Sequence, residues 1–189
     1  HMAIVTSTGR VVTSFAPFRH DMINILPNNK NIIMAANQAK EVTVKQVAVV
    51  PSRTVPQGLA AMLSLQPDGE LEAVAEKMTK ALDQVRTGEI TVATRSVEID
   101  GVKVESGQVI ALLDGKLVAS AGSVEEGGLA LLEKVDAEDR ELVTLFYGES
   151  ITHAEANRIA DVIRSKYSNL EVEVQEGGQP HYQFIISVE

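Results

Sequence analysis

The sequence contains no cysteine and no tryptophan, and aromatic residues make up only 4% of its 189 residues. Without cysteine, disulfide bridges and thiolate metal sites are excluded, and a reducing cytoplasm is a compatible setting. Because aromatic side chains are scarce, the aliphatic residues and methionine must fill the interior. The chain is long enough to bury such an interior in one domain or in two small lobes.

Long apolar runs and an excess of positive charge are also missing. No run approaches the roughly 18 apolar residues of a membrane span, so we expect neither a span nor a signal peptide, and a cytoplasmic location. The formal net charge of -9 argues against nucleic acid as a partner, because binding to phosphate backbones depends on clustered Lys and Arg. Residues 1–2 are typical of a cloning remnant, which is compatible both with an excised piece of a longer protein and with a complete chain.

Helical and strand-like patterns alternate in the first part of the sequence. Residues 22–26 (MINIL) read as a buried strand, and the valine-rich run 44–50 is typical of a parallel strand covered on both faces. Apolar residues at spacings of three and four predict a long helix from Glu70 to Arg86, with Gly88 as its stop. Two shorter helices are predicted at 32–41 and 59–65.

The pattern changes after Gly88. Residues 89–120 alternate polar and apolar side chains and contain Asp-Gly pairs at 100–101 and 114–115, which predict short antiparallel strands joined by hairpins. The helix predicted at 150–167 begins with a capping box in which Thr152 is the N-cap and Glu155 lies three residues on. The remaining predicted elements are a helix at 124–134 and strands at 141–148, 170–175 and 184–188.

The order of these elements predicts an α/β protein with two lobes. The first, residues 3–88, is an open and largely parallel α/β lobe. The second, residues 89–189, is a lobe with a mixed or antiparallel sheet and helices, so the join lies near Gly88.

Two polar loops follow the two predicted parallel strands. Asn28, Asn29 and Lys30 come after the first strand, and Arg53 and Thr54 come after the second. In open α/β sheets ligands bind at the carboxyl ends of the strands, and a helix N-terminus favours anions. We therefore predict a shared crevice that contacts a ligand or partner. Asn and Thr at helix caps are equally ordinary, so a purely structural role is the alternative.

The loop GGQPHY, residues 177–182, precedes the last strand. Gly177 and Gly178 would let the backbone approach a partner closely and present successive N–H groups to an anion. A glycine turn between the last two antiparallel strands needs no ligand, so both readings stay open. The motif Gly-Gly-Gln also marks peptidyl release factors, but they carry it on a basic, RNA-binding body. We propose contact roles for Gln179, His181 and Tyr182 beside the two glycines.

Catalytic motifs are weakly represented. His181 has no carboxylate or serine partner predictable from the sequence, which favours a structural or interface role over acid–base chemistry. His153 lies in the first turn of a helix without the second histidine of a zinc helix, and nothing near His20 defines a role for it. The sequence contains no phosphate-binding Walker loop, dinucleotide fingerprint or nucleophile elbow. Phosphoryl transfer through His181 or Lys30 is the remaining enzymatic alternative.

Four segments carry a family resemblance. Residues 25–32, 49–63, 85–118 and 147–189 resemble the carboxyl-terminal region of the dihydroxyacetone-kinase-like catalytic subunit of bacterial fatty acid kinase. The resemblance runs from Ile25 to Glu189, and its most specific pieces are LPNNKN and GGQPHY. One departure is at 11–22 (VVTSFAPFRHDM), where relatives usually carry a second Gly-Gly-Gln loop followed by Thr.

The resemblance implies a division of labour. In that family an amino-terminal kinase domain binds ATP and Mg²⁺, a middle domain follows, and a separate fatty-acid-binding protein of the DegV type presents the substrate. The product, acyl-phosphate, serves phospholipid synthesis. The implied role of this segment is therefore non-catalytic docking of the DegV-type protein, with no catalytic residue, metal or cofactor of its own.

A looser resemblance concerns the fold. Residues 109–135 followed by 142–167 are similar to the order of elements in the second lobe of DegV-type proteins. This implies a DegV-like fold and keeps open a second function, a small-ligand or lipid-binding module of DegV type.

Overall fold

A computed structural model describes residues 2–6, 22–99 and 101–189. The chain forms two compact units, His1–Val85 and Arg86–Glu189. Two sequence-based expectations, the role of His20 and the departure at 11–21, lie outside the described residues. The first residue of the suspected cloning remnant also lies outside them.

The first unit contains a parallel sheet of three strands in the order β1-β2-β3. Its strands are β1 (Met2–Thr6), β2 (Met22–Leu26) and β3 (Gln46–Val49), and its helices are α1 (Ile33–Val42), α2 (Val55–Leu63) and α3 (Leu71–Ala81).

Helices cover both faces of this sheet. Ala36 of α1 packs with Ile23, Ile25 and Val47 on one face. On the other face, side chains of α2 and α3 pack against β2 and β3 in a cluster that includes Leu26, Ala48, Val50, Ala61 and Met78. Burial on both faces explains why these strands read as continuous apolar runs.

The structure corrects three details of the sequence-based elements in this unit. Strand β1 was not predicted. Helix α2 begins at Val55, four residues earlier than expected, because the Thr54 hydroxyl accepts a hydrogen bond from the Gln57 N–H (3.3 Å) and a proline lies in the first turn. Helix α3 ends at Ala81, and Gly88 is not its stop.

The second unit contains a six-stranded mixed sheet in the order β10-β9-β11-β4-β7-β8 and a separate β5-β6 hairpin. Strand β10 runs parallel to β9, and the other pairs are antiparallel. The strands are β4 (Arg86–Val92), β5 (Val97–Ile99), β6 (Val102–Val104), β7 (Val109–Leu113), β8 (Lys116–Ala121), β9 (Leu142–Tyr147), β10 (Glu171–Glu176) and β11 (Tyr182–Val188), and the helices are α4 (Val124–Lys134) and α5 (His153–Lys166).

Gly88 lies inside β4 and has a packing role. A Cβ atom at this position would stand 2.7 Å from both terminal methyl carbons of Leu131, a fully buried residue of α4. The glycine therefore allows α4 to lie close to the sheet, which is why a strand interior tolerates it.

Local signals in the second unit match the structure. The Ser123 and Thr152 hydroxyls accept hydrogen bonds from the N–H groups three residues on, each at 3.2 Å, and so begin α4 and α5. Asp114 and Gly115 have φ angles of 50° and 79°, as the predicted β7–β8 hairpin turn requires. The predicted α/β class, with a parallel sheet followed by a mixed sheet, is confirmed.

Candidate functional site

Asn28 ties the loop after β2 to the loop after β3. Its N–H donates to the Ser52 hydroxyl oxygen (3.0 Å), and that hydroxyl donates to the Asn28 side-chain oxygen (2.7 Å). Ser52 is fully buried, and a Cβ at Gly58 would overlap the Asn28 amide. Asn28 is in the left-handed region (φ 53°), which asparagine tolerates well. Its polar groups therefore connect the two loops.

Asn29 and Thr54 also serve local structure. The Asn29 side-chain oxygen accepts a hydrogen bond from the Asn31 N–H (2.9 Å), which forms an Asx turn before α1. Thr54 is the N-cap of α2. Of the five residues predicted to form the crevice, these two and Asn28 are occupied with backbone geometry.

Lys30 and Arg53 do come together, as the sequence predicted for the two loops. Both are exposed, and both line one open depression of about 710 Å³. The rest of its lining comes from α1, which sequence reasoning missed: Ile33, Met34, Asn37, Gln38 and Glu41. Met34 is 72% exposed, an unusual value for a methionine in a helix, and gives this basic depression an apolar wall.

The GGQPHY loop differs from the predicted turn. Strands β10 and β11 are not neighbours, because β9 lies between them. The loop therefore crosses the carboxyl end of β9, and the N–H groups of Gly177 and Gly178 both donate to the Tyr147 carbonyl (3.0 and 3.1 Å). The two amides bind the chain's own backbone and are not presented to an anion.

Gln179 completes the attachment of this loop. Its side-chain nitrogen donates to the Phe146 carbonyl (2.9 Å), and its own carbonyl accepts from the Glu149 N–H (3.2 Å). Gly148 lies directly beneath, where a Cβ would overlap the Tyr182 carbonyl oxygen. The motif residues Gly177 and Gln179 thus hold the loop on the end of β9.

His181 and Tyr182 are the members of the loop that face outward. The His181 side chain is exposed, and its carbonyl accepts a hydrogen bond from the Thr91 hydroxyl (2.6 Å). Tyr182 is half-buried. Burial raises the pKa of its phenol, and the nearby Glu89 carboxylate raises that pKa further, so the phenol is protonated at neutral pH.

His181 adopts a strained backbone conformation, with φ at 70° in the left-handed region. Glycine has no such penalty, so His181→Gly should be more stable than His181→Ala by about 1 kcal/mol. Urea unfolding of the two variants measures this difference. Equal stabilities would show that the loop relaxes and holds no strain at this residue.

His153 lies beside Tyr147, with its Nδ1 atom 3.4 Å from the phenol oxygen. Within residues 2–6, 22–99 and 101–189 no group of three or more His, Asp or Glu side chains is placed to hold a metal ion. Over the same residues no helix is both long and apolar enough to cross a bilayer.

Comparison with protein families gives a match over nearly the whole chain. Residues 5–189 match the family of FakA-like carboxyl-terminal domains of fatty acid kinase. Protein YloV of Bacillus subtilis is 39% identical over 183 residues, which are 97% of this chain and 33% of YloV. An uncharacterized protein of Staphylococcus epidermidis is 38% identical over 165 residues, 87% of this chain and 30% of that protein. The chain thus spans about a third of the length of these curated relatives.

Solved structures share the fold at low sequence identity. The Streptococcus pneumoniae fatty acid kinase B3 protein, loaded with linoleic acid, aligns with a TM-score of 0.63 and 11% identity over 92% of this chain and 73% of its own. The DegV family protein Cg2579 of Corynebacterium glutamicum aligns at 0.61 and 16%, covering 89% and 73%. A fatty-acid-binding DegV family protein of Thermus thermophilus aligns at 0.57 and 16%, covering 92% and 73%. The fold is therefore DegV-like.

Proposed function

Because the chain belongs to the FakA-like carboxyl-terminal family of fatty acid kinase, we propose that it docks a separate fatty-acid-binding protein of the DegV type. The kinase domain of a longer polypeptide would then use ATP and Mg²⁺ to convert the presented fatty acid to acyl-phosphate. The observation that carries this proposal is the family match over residues 5–189 in a chain that spans a third of its relatives' length. In this proposal the chain binds and positions, and holds no catalytic residue.

The basic depression supplies a first contact surface for such a partner. Lys30 and Arg53 place two cations together on a chain whose net charge is -9. The exposed Met34 beside them adds apolar area, and methionine adapts well to a partner surface. Charged groups of this kind set orientation and association rate more than raw affinity.

We expect the isolated chain to bind the fatty-acid-binding protein in isothermal titration calorimetry, with an affinity that falls as salt is added. The double change Lys30→Glu with Arg53→Glu should weaken binding about tenfold, which corresponds to roughly 1.4 kcal/mol. The matched control is Lys103→Glu with Lys116→Glu, the same charge change at exposed positions of the second unit. No binding by the unaltered chain would reject the docking function, and equal loss in both double variants would reject the depression as the contact.

A lipid-binding role is the second candidate. It is favoured by the open depression, which combines the Lys30 and Arg53 cations with the apolar Ile33 and Met34 side chains. Such a lining suits a carboxylate with an acyl tail. A fatty acid retained through purification and detected by native mass spectrometry would support this role over docking.

A further inference from the structure

The open side of β3 forms a groove between α1 and α3, which we call the edge groove. Two open depressions of about 510 and 470 Å³ share Lys40 and Glu72 and therefore run into each other. Asn37 belongs both to the second of these and to the Lys30–Arg53 depression. The edge groove thus continues into the basic depression described above.

The floor of the edge groove is an unpaired strand edge. The Val50 N–H donates to the Ile25 carbonyl (2.9 Å), which fixes the alternation of the ladder. Backbone groups of Val47 and Val49 therefore point away from β2. Among the described residues β3 is the last strand on that side, so these N–H and C=O groups have no ladder partner.

The two outer edges of the chain's sheets differ in protection. At β10 the Arg164 guanidinium donates to the Val172 carbonyl (2.5 Å), and acidic side chains cover the strand. At β3 the approach carries Val42 and Val44 with 86% and 103% exposure. Natural proteins block bare edges with charge, so an edge preceded by exposed valines is one that a further strand covers.

The banks of the groove carry opposite charges. Lys40 lies on the α1 bank, and Glu72 and Glu76 lie on the α3 bank. Hydrogen bonding to Lys80 lowers the pKa of Glu76, so this carboxylate is ionised at neutral pH. Successive side chains of a strand point to opposite faces. A strand in the groove would therefore present basic residues to α3 and acidic residues to Lys40.

We propose that the edge groove receives an extended segment of the fatty-acid-binding partner as an additional strand beside β3. The segment pairs with the backbone of Val47 and Val49, carries alternating basic and acidic residues, and places an acidic end toward Lys30 and Arg53. This inference rests on the proposed docking function and assigns its recognition mode, which is strand addition.

Val49→Pro tests the backbone pairing directly. Proline removes the N–H that faces the groove while leaving the β2 ladder intact, and edge strands tolerate proline at such positions. We expect the variant to fold, as seen by far-UV circular dichroism, and to lose at least tenfold in affinity for the fatty-acid-binding protein. The matched control is Ala48→Pro, whose N–H points to β2, and which should unfold the first unit instead.

Hydrogen exchange on the unaltered chain keeps the proposal testable if Val49→Pro does not fold. The Val47 and Val49 amides should exchange at least tenfold more slowly in the complex than in the free chain. Partner binding without that protection, or undiminished binding by Val49→Pro, overturns strand addition but leaves docking in place. Slowing that depends on the concentration of the free chain would identify a second copy as the occupant and also overturn it.

A charge change provides the third test. Glu72→Lys on the α3 bank should weaken partner binding several-fold, whereas Glu98→Lys, the same change in the exposed β5–β6 hairpin, should not. Equal effects of the two changes would mean that only net charge matters. If the unaltered chain binds no fatty-acid-binding protein at all, the docking function itself fails, and the outcome differs from loss in the variants alone.

Discussion

Replacement of Gly148 by alanine should lower the free energy of unfolding by about 2–3 kcal/mol, the upper range for overpacking. The added Cβ would overlap the Tyr182 carbonyl oxygen and stand 2.7 Å from the Gln179 carbonyl oxygen. Both obstacles are backbone atoms, so no side-chain rotation relieves the clash. The 177–182 loop must move away from the end of β9.

Displacement of the loop also breaks specific hydrogen bonds. The Gly148 N–H donates to the Gln183 carbonyl (2.9 Å), and the Gly177 and Gly178 amides depend on the Tyr147 carbonyl. Leaving such groups unpaired costs about 1–3 kcal/mol each where they are buried. Urea unfolding followed by circular dichroism measures the total, and amide exchange of Gly177 and Gly178 should accelerate in the variant.

Gly128→Ala is the matched control for this substitution. Gly128 is buried in α4, and nothing lies within 4 Å of the position that its Cβ would occupy. The same chemical change should therefore stabilise the protein by about 0.5–1 kcal/mol, because alanine favours a helix over glycine. If Gly148→Ala matched this control, the 177–182 loop would not depend on close approach at residue 148.

Replacement of Leu131 by alanine should cost about 2–5 kcal/mol of unfolding free energy. Leu131 is fully inaccessible to solvent and belongs to the core between the helices and the six-stranded sheet. Its terminal methyl groups lie over Gly88, at the place where any side chain of β4 would point. The variant therefore loses apolar burial and leaves a cavity directly above the glycine.

A double-mutant cycle tests this packing. Gly88→Ala alone should destabilise by about 1–3 kcal/mol, because its methyl group has no room beside Leu131. In the Leu131→Ala background the same methyl group enters the new cavity, so the second change should cost much less or stabilise. A coupling of about 1 kcal/mol or more is expected for residues in contact. Strict additivity would show that α4 shifts away from β4.

Much of the candidate site depended on strand order, which sequence reasoning did not supply. The GGQPHY loop was interpreted as a turn between the last two strands, but β9 separates them. The amides that were candidates for an anion bind Tyr147 for that reason. Lys30 and Arg53 were correctly paired because they follow neighbouring parallel strands, whereas the α1 wall of their depression required the helix to be oriented on the sheet.

Interactions within a few residues are what the sequence by itself determined about this protein. The caps at Ser123 and Thr152, the Asp114-Gly115 turn and the apolar spacing of the helices are local, so their predicted positions hold in the structure. The family resemblance was likewise carried by contiguous residues and is confirmed by the match over 5–189.

Only the tertiary structure decided which atoms meet across long separations. Gly88 is a packing site because Leu131, on a helix far along the chain, lies over it, and no local pattern separates that role from a helix stop. The edge groove exists because β3 is the outer strand of its sheet among the described residues. Strand order follows from long-range hydrogen bonding and burial, so the unpaired backbone of Val47 and Val49 was invisible in the sequence.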